Sequence, residues 1–253
     1  MSFIGSGLTD AVTAIFDEIY ATDLVFVKDC WRLCGDAHCC SFSRYKARFK
    51  LIAKSQFQEL PLLPGEYEYL NSRGWLAQFG DFDRKLTEYP LEHGMMRIDS
   101  IISRRPNCAC DHDTRPTVCR LYPLLPVLDL DGRLTGIDSI GIYEEIEKLE
   151  NLEPACKIAS VPFLELQKFL VISSAIGRDP TMLFYISAYR TAKEHVRSRL
   201  EAAKSIRSGD SFSIFEWALL RDRLIDHSDL ASRLSSLAET FQARYGDRFT
   251  LGA

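Results

Sequence analysis

Cys108-Ala-Cys110-Asp-His-Asp-Thr-Arg115-Pro-Thr-Val-Cys119-Arg120-Leu-Tyr122-Pro123 is the stretch on which the reading of this chain turns. It holds three of the eight cysteines. Four more, Cys30, Cys34, Cys39 and Cys40, stand together upstream, and Cys156 follows alone. Cysteines used as small core hydrophobes would be scattered evenly, and these are the reverse. The uneven placement predicts that the chain folds the two groups onto each other around a metal.

Working outward, 253 residues with 46% hydrophobic and 26% charged content describe an ordinary globular chain with ample material for a core. The net charge of −4 supplies no global basic field, so neither nucleic acid nor an anionic membrane is an expected partner. Only a local patch could serve either. The opening Met1-Ser-Phe-Ile-Gly-Ser-Gly7 has no basic region and no sustained apolar run, and a secretory signal is not expected. The most apolar run, 169–176, is far shorter than the roughly 20 residues of a membrane span. The expectation is a cytoplasmic protein, in which thiols stay reduced and clustered cysteines bind metal rather than form disulfides.

Thiolates are soft ligands that select zinc, copper(I) or iron–sulfur clusters. The spacings here, Cys30-x3-Cys34-x4-Cys39-Cys40 and Cys108-x-Cys110-x8-Cys119, contain no Cys-x2-Cys knuckle, so the metal is not readable from them. In an extended segment Cys108 and Cys110 share a face, whereas vicinal Cys39 and Cys40 diverge. Eight thiolates exceed the four that one tetrahedral zinc or one cubane needs. Either two centres are present, or some cysteines serve other roles. His38 and His112 could each replace a thiolate or be hydrogen-bonding neighbours. Arg115 and Arg120 suit the negative charge of a thiolate site, and a surface ion pair with Asp111 or Asp113 is the alternative.

Around these groups the pattern is α+β and mainly helical. Leu8, Val12, Ile15, Phe16 and Ile19 stripe a helix over 8–20, with Ser6 as its cap. Alternating Phe49, Leu51 and Ala53 read as a short strand. Pro64 opens a helix through about Leu70, 80–94 reads as polar loop with one helical turn, and Met96, Ile98 and Ile101 mark a strand. Asp131-Gly132 sits between two apolar runs as a hairpin turn, and Ile142, Ile146 and Leu149 line a short helix. Four helices then follow. The first, over 160–177, is capped by Ser160 and apolar nearly all round, which predicts burial. The second runs from Asp179-Pro180 to about Arg207. Ser213-Ile-Phe-Glu216 is a capping box for the third, and Leu230, Leu234, Leu237, Phe241 and Tyr245 stripe the fourth. Residues 1–159 thus read as a cysteine-cluster metal-binding module with a small β-hairpin or sheet, and 160–253 as a helical extension packed on it. The basic run 193–207 is interleaved with Glu194 and Glu201, the pattern of a solvated helix.

Cys110-x4-Arg115-Pro116-x2-Cys119-Arg120-x-Tyr122-Pro123 resembles, position for position, the second motif of the YkgJ-type family of zinc- or iron-chelating cysteine-cluster proteins. Leu63-Pro64-Gly65-Glu66 is similar to the helix start that follows that family's first cysteine group, and a late cysteine such as Cys156 also fits. In the first group both gaps are longer here. The resemblance spans about 30–156 and implies an iron–sulfur cluster or zinc, without an assigned reaction. Flagellin lysine N-methylases resemble the same group and imply a cluster used in methyl transfer, although no methyl-donor motif is visible in this chain. Three roles stand open: a structural metal module presenting the C-terminal helices to a protein partner, a metalloenzyme of group transfer or redox chemistry, and a metal handler. No Ser-His-Asp array, phosphate-cradling glycine loop or dinucleotide fingerprint points to another chemistry.

Overall fold

Thr9 starts the first helix, α1 (Asp10–Ala21): its hydroxyl accepts the Val12 N–H at 3.3 Å, the role expected of Ser6. Ile15, Phe16, Ile19 and Tyr20 form its buried face. The structure is a computed structural model, and it describes residues 8–26, 49–50, 58–103, 111–152 and 161–251. Within these residues the class is α+β, with eight α-helices and two small antiparallel sheets. The strand expected over 49–53 falls largely outside them.

Three strands, β1 (Gln58–Pro61), β2 (Phe82–Leu91) and β3 (Gly94–Ser103), form one sheet in the order β1-β3-β2. Gly65, left-handed at φ 81°, turns the chain into α2 (Glu66–Ser72), and a 3-10 turn (Trp75–Phe79) follows. The segment expected to be loop is the ten-residue strand β2. Its polar sequence suits a sheet edge, where side chains remain in water and charges pair across the ladder. Glu88 stands opposite Arg97 and takes its Nε–H at 3.0 Å. Arg84 grips Asp99 at 2.6 Å and Glu68 at 2.7 Å. No hydrophobic alternation was needed, so the period-2 signal never arose.

The short α3 (Thr117–Leu121) leads into the hairpin β4 (Leu124–Leu128) and β5 (Leu134–Ser139), then α4 (Ile142–Leu149). Asp129 Oδ1 accepts the Asp131 and Arg133 N–H groups at 2.9 Å and closes the expected turn, with Gly132 at φ 76°. The C-terminal helices are α5 (Phe163–Gly177), α6 (Pro180–Ile206), α7 (Ser211–Leu220) and α8 (His227–Tyr245). Asp179 caps α6 as expected, accepting the Met182 N–H at 2.8 Å. For α7 the capping residue is Asp210, which takes the Ser213 N–H, and Glu216 accepts the Lys50 N–H instead of closing a box. Ser160 lies outside the described residues, and Pro162 precedes the first turn of α5.

α8 packs on α6 and on β2, α5 packs on α1 and both hairpin strands, and α4 packs on α6 and α7. One hydrophobic cluster accordingly runs from Phe16 and Ile19 through Leu70, Ile101 and Leu124 to Phe169, Phe184 and Phe241. A second, around Phe49, Ile146, Leu200, Phe212 and Phe215, lies between α4, α6 and α7. Buried His195 joins α6 to α8: its Nε2 accepts the Asp226 N–H at 3.0 Å, which leaves Nδ1 to donate to Asp229 at 3.0 Å. No helix among the described residues is long and apolar enough to cross a membrane.

Candidate functional site

α3 carries Cys119, and its first amide is a donor that no helical carbonyl can satisfy. Pro116 before it has no side-chain acceptor to offer. Glu66, from the first turn of α2 and fully buried, does so instead: its Oε1 accepts the Thr117 N–H and hydroxyl, both at 2.6 Å. Tyr20 from α1 donates to the same oxygen at 2.8 Å, and the Leu63 N–H to Oε2 at 2.9 Å. A carboxylate beside the amide end of a helix is also favoured by the helix dipole. Burial, then the Glu66 charge and hydrogen bond, push the Tyr20 hydroxyl well above its ordinary pKa. Tyr20 therefore remains a donor at neutral pH. Four neutral donors thus hold one buried carboxylate and, through it, the start of α3.

The two motif arginines hold backbone. Arg120, 1% exposed, donates to the carbonyls of Arg115 at 3.1 Å, Thr22 at 3.0 Å and Asp113, and its guanidinium lies 4.6 Å from the centre of the Tyr20 ring. Burial, and then the Arg115 charge, lower its pKa from the usual value for arginine. Arg115 donates to the His112 carbonyl at 2.6 Å and to that of Leu24. Neither arginine pairs with the carboxylates of Asp111 or Asp113 among the described residues, so the surface ion-pair alternative does not apply. From the other side Gln78 donates to the Thr114 carbonyl at 3.0 Å and accepts the Asp111 N–H at 2.9 Å. Residues 111–116 are thereby fastened both to the segment after α1 and to the 3-10 turn.

Cys119 is half-buried, packs against the larger core cluster and lies near enough to Tyr20 to act on its ionisation. Its own N–H is bound to the Pro116 carbonyl at 2.9 Å. The other seven expected ligands, Cys30, Cys34, Cys39, Cys40, Cys108, Cys110 and Cys156, lie outside the described residues, as does His38. His112 Nδ1 stands 3.4 Å from Asp113 Oδ1 and 3.7 Å from Asp23 Oδ1. Burial and Arg115 lower its pKa against the opposing pull of both carboxylates.

The sequence reading missed Tyr20, Thr117 and the structural use of Glu66. Glu66 was visible as an acid in a first helical turn, but nothing local joins it to a threonine 51 residues away. Thr22 and Leu24 take part through carbonyl oxygens, which carry no side-chain signature at all. Past α3, Tyr122 donates to Glu144 of α4 and ties the end of the motif to the hairpin's far side. Compared with family models, curated proteins and solved structures, the chain shows no match to any.

Proposed function

We propose that this chain is a metal-binding cysteine-cluster protein of the YkgJ type. On this reading Cys30, Cys34, Cys39, Cys40, Cys108, Cys110, Cys119 and Cys156 hold an iron–sulfur cluster or zinc. The observation that carries the reading is the arginine clamp. Arg115 and Arg120 bind the carbonyls of Thr22 and Leu24 on one side and of His112, Asp113 and Arg115 on the other. Leu24 precedes Cys30 by six residues, and Asp111 follows Cys110 directly. Chain connectivity therefore starts both cysteine groups from one fastened point, which is what ligands drawn from both groups require.

The donor chemistry fits such a group. Cys119 offers a half-buried thiol at the clamp, on a helix whose first turn is fixed by Glu66. The nearby guanidiniums of Arg115 and Arg120 bring positive charge to a place where thiolates would concentrate negative charge. An iron–sulfur cluster there would supply one-electron or group-transfer chemistry, and zinc would supply a crosslink. In either case Arg115 and Arg120 fasten the chain next to both cysteine groups.

Anaerobic purification followed by elemental analysis and an absorption spectrum of the same sample tests the reading. Stoichiometric iron and sulfide with broad absorption near ~400 nm identifies a cluster, and tightly held zinc in a colourless protein identifies a crosslink. Cys119→Ser is expected to lose most of the bound metal. Wild-type protein without metal, or unchanged metal content in Cys119→Ser, overturns the proposal.

A further inference from the structure

The hairpin turn between β4 and β5 leans on the end of α5 unusually closely. A Cβ on Gly132 would stand 2.1 Å from the Gly177 carbonyl oxygen, and one on Gly177 would stand 2.2 Å from that of Gly132. Two glycines are therefore required where the backbones meet. On its other side the turn is held by α8, where Tyr245 donates to the Leu130 carbonyl and Arg244 pairs with Asp131.

The turn, fixed from both sides, walls a cleft of about 790 Å³. Four arginines line it, Arg133, Arg178, Arg244 and Arg248, and Asp131 is the one acidic residue among the described lining residues. Arg133 reaches Asp131 only at 3.9 Å, and Arg178 is paired with Glu18. Arg248 lies 5.4 Å from the centre of the Tyr245 ring and has no carboxylate partner among the described residues. Leu134, Leu170 and Tyr245 complete the wall with apolar and aromatic surface.

We propose that this cleft binds a ligand carrying a phosphate or diphosphate group next to an apolar or aromatic body. Guanidinium forks match phosphate oxygens, and exposed pairs such as Arg244–Asp131 give up little when one partner turns to a stronger anion. The whole-chain charge of −4 makes such a local excess of arginine more notable. None of the described residues that line it is a cysteine, and its test does not depend on metal content.

Calorimetric titration of the full chain with inorganic pyrophosphate, at low salt, is the test. Saturable one-to-one binding is expected, at least ten-fold weaker in Arg133→Ala/Arg248→Ala and unchanged in Arg199→Ala/Arg207→Ala, which removes equal charge elsewhere. Both double variants should melt at the wild-type temperature. Flotation with phosphatidylcholine vesicles containing phosphatidate separates the two sources of such a group. Flotation that pyrophosphate competes away identifies a lipid headgroup, and pyrophosphate binding without flotation identifies a soluble phosphate ester. Absence of saturable binding, or equal weakening by both double variants, overturns the site.

Discussion

Two buried charge clusters in this molecule solve the same problem in opposite ways. Around α3, Glu66 and Arg120 are both buried, yet neither forms a salt bridge with another described residue: Glu66 takes four neutral donors, and Arg120 gives to three carbonyls. At the far end of the hairpin, buried Lys193 of α6 meets charge with charge. Its Nζ donates to Asp138, to Glu145 at 3.3 Å and to the Ser139 carbonyl at 2.6 Å. Glu145 also takes Lys148 at 3.0 Å and the Ser139 hydroxyl at 2.6 Å. The first arrangement fixes the course of backbone, joining residues 20–24, 63–66 and 113–120. The second joins side chains and leaves backbone mostly to the hairpin ladder. A site that must present several ligands needs the first kind, because only backbone fastening sets where the next residues of the chain begin.

Removing Arg120 should do the most damage. Arg120→Ala removes one donor from each of three carbonyls and empties a large buried volume, and a loss of about 3–5 kcal/mol in urea unfolding is expected. An effect under ~1 kcal/mol would show that water replaces the guanidinium and that the clamp is incidental.

Lys193→Met should cost less, about 2–3 kcal/mol at pH 7, because Lys148 still faces Glu145 and Asp138. This cluster should be sensitive to acid. Burial raises the Glu145 carboxyl, but hydrogen bonds from Ser139 and Lys148 and the charge of Lys193 outweigh it and hold it below the usual 4.5. Asp138 is likewise pushed up by burial and brought lower overall by Lys193. Carboxylates with folded pKa values below their unfolded ones contribute stability above about pH 4.5, and that stability is lost as pH falls through the folded values. The gap between wild type and Lys193→Met should therefore narrow on acidification below pH 4.5. A gap that stays constant to pH 3 would remove charge pairing as the basis of the cluster.

Glu66→Gln is the finest probe of the comparison. The amide keeps one acceptor for Thr117 but presents N–H groups toward a neighbouring donor, and a loss of about 1–2 kcal/mol is expected. Alongside this, amide exchange at Thr117 should speed up more than exchange in β4. Equal acceleration in both places would mean that Glu66 supports the fold generally rather than α3 in particular.

Much of this could be read locally. The Asp131-Gly132 hairpin, the Asp179-Pro180 helix start and the stripe of α8 each depend on neighbours within a few residues, and each stands as expected. Where the sequence misled, a distant partner had intervened. α5 is apolar nearly all round, which reads as burial, yet Phe163 is 72% and Leu164 66% exposed. Its inward face is only Phe169, Ile172, Ser173, Ala175 and Ile176, because α1 and the hairpin cover one side. Glu216 fitted a capping box by spacing, but Asp210 already held the N–H of Ser213 and Glu216 turned to Lys50.

By itself the sequence determined the residue types and spacing of the two cysteine groups, the mainly helical α+β class and the turn chemistry, since these follow from side-chain identity and short-range periodicity. The tertiary structure alone decided that Glu66 would cap a helix 51 residues downstream and that both motif arginines would bind carbonyls rather than carboxylates. It also decided that four arginines from three separate segments would face one cleft. Carbonyl oxygens are the same at every position, and long-range proximity is set by how the core packs, so neither leaves a mark that can be read along the chain.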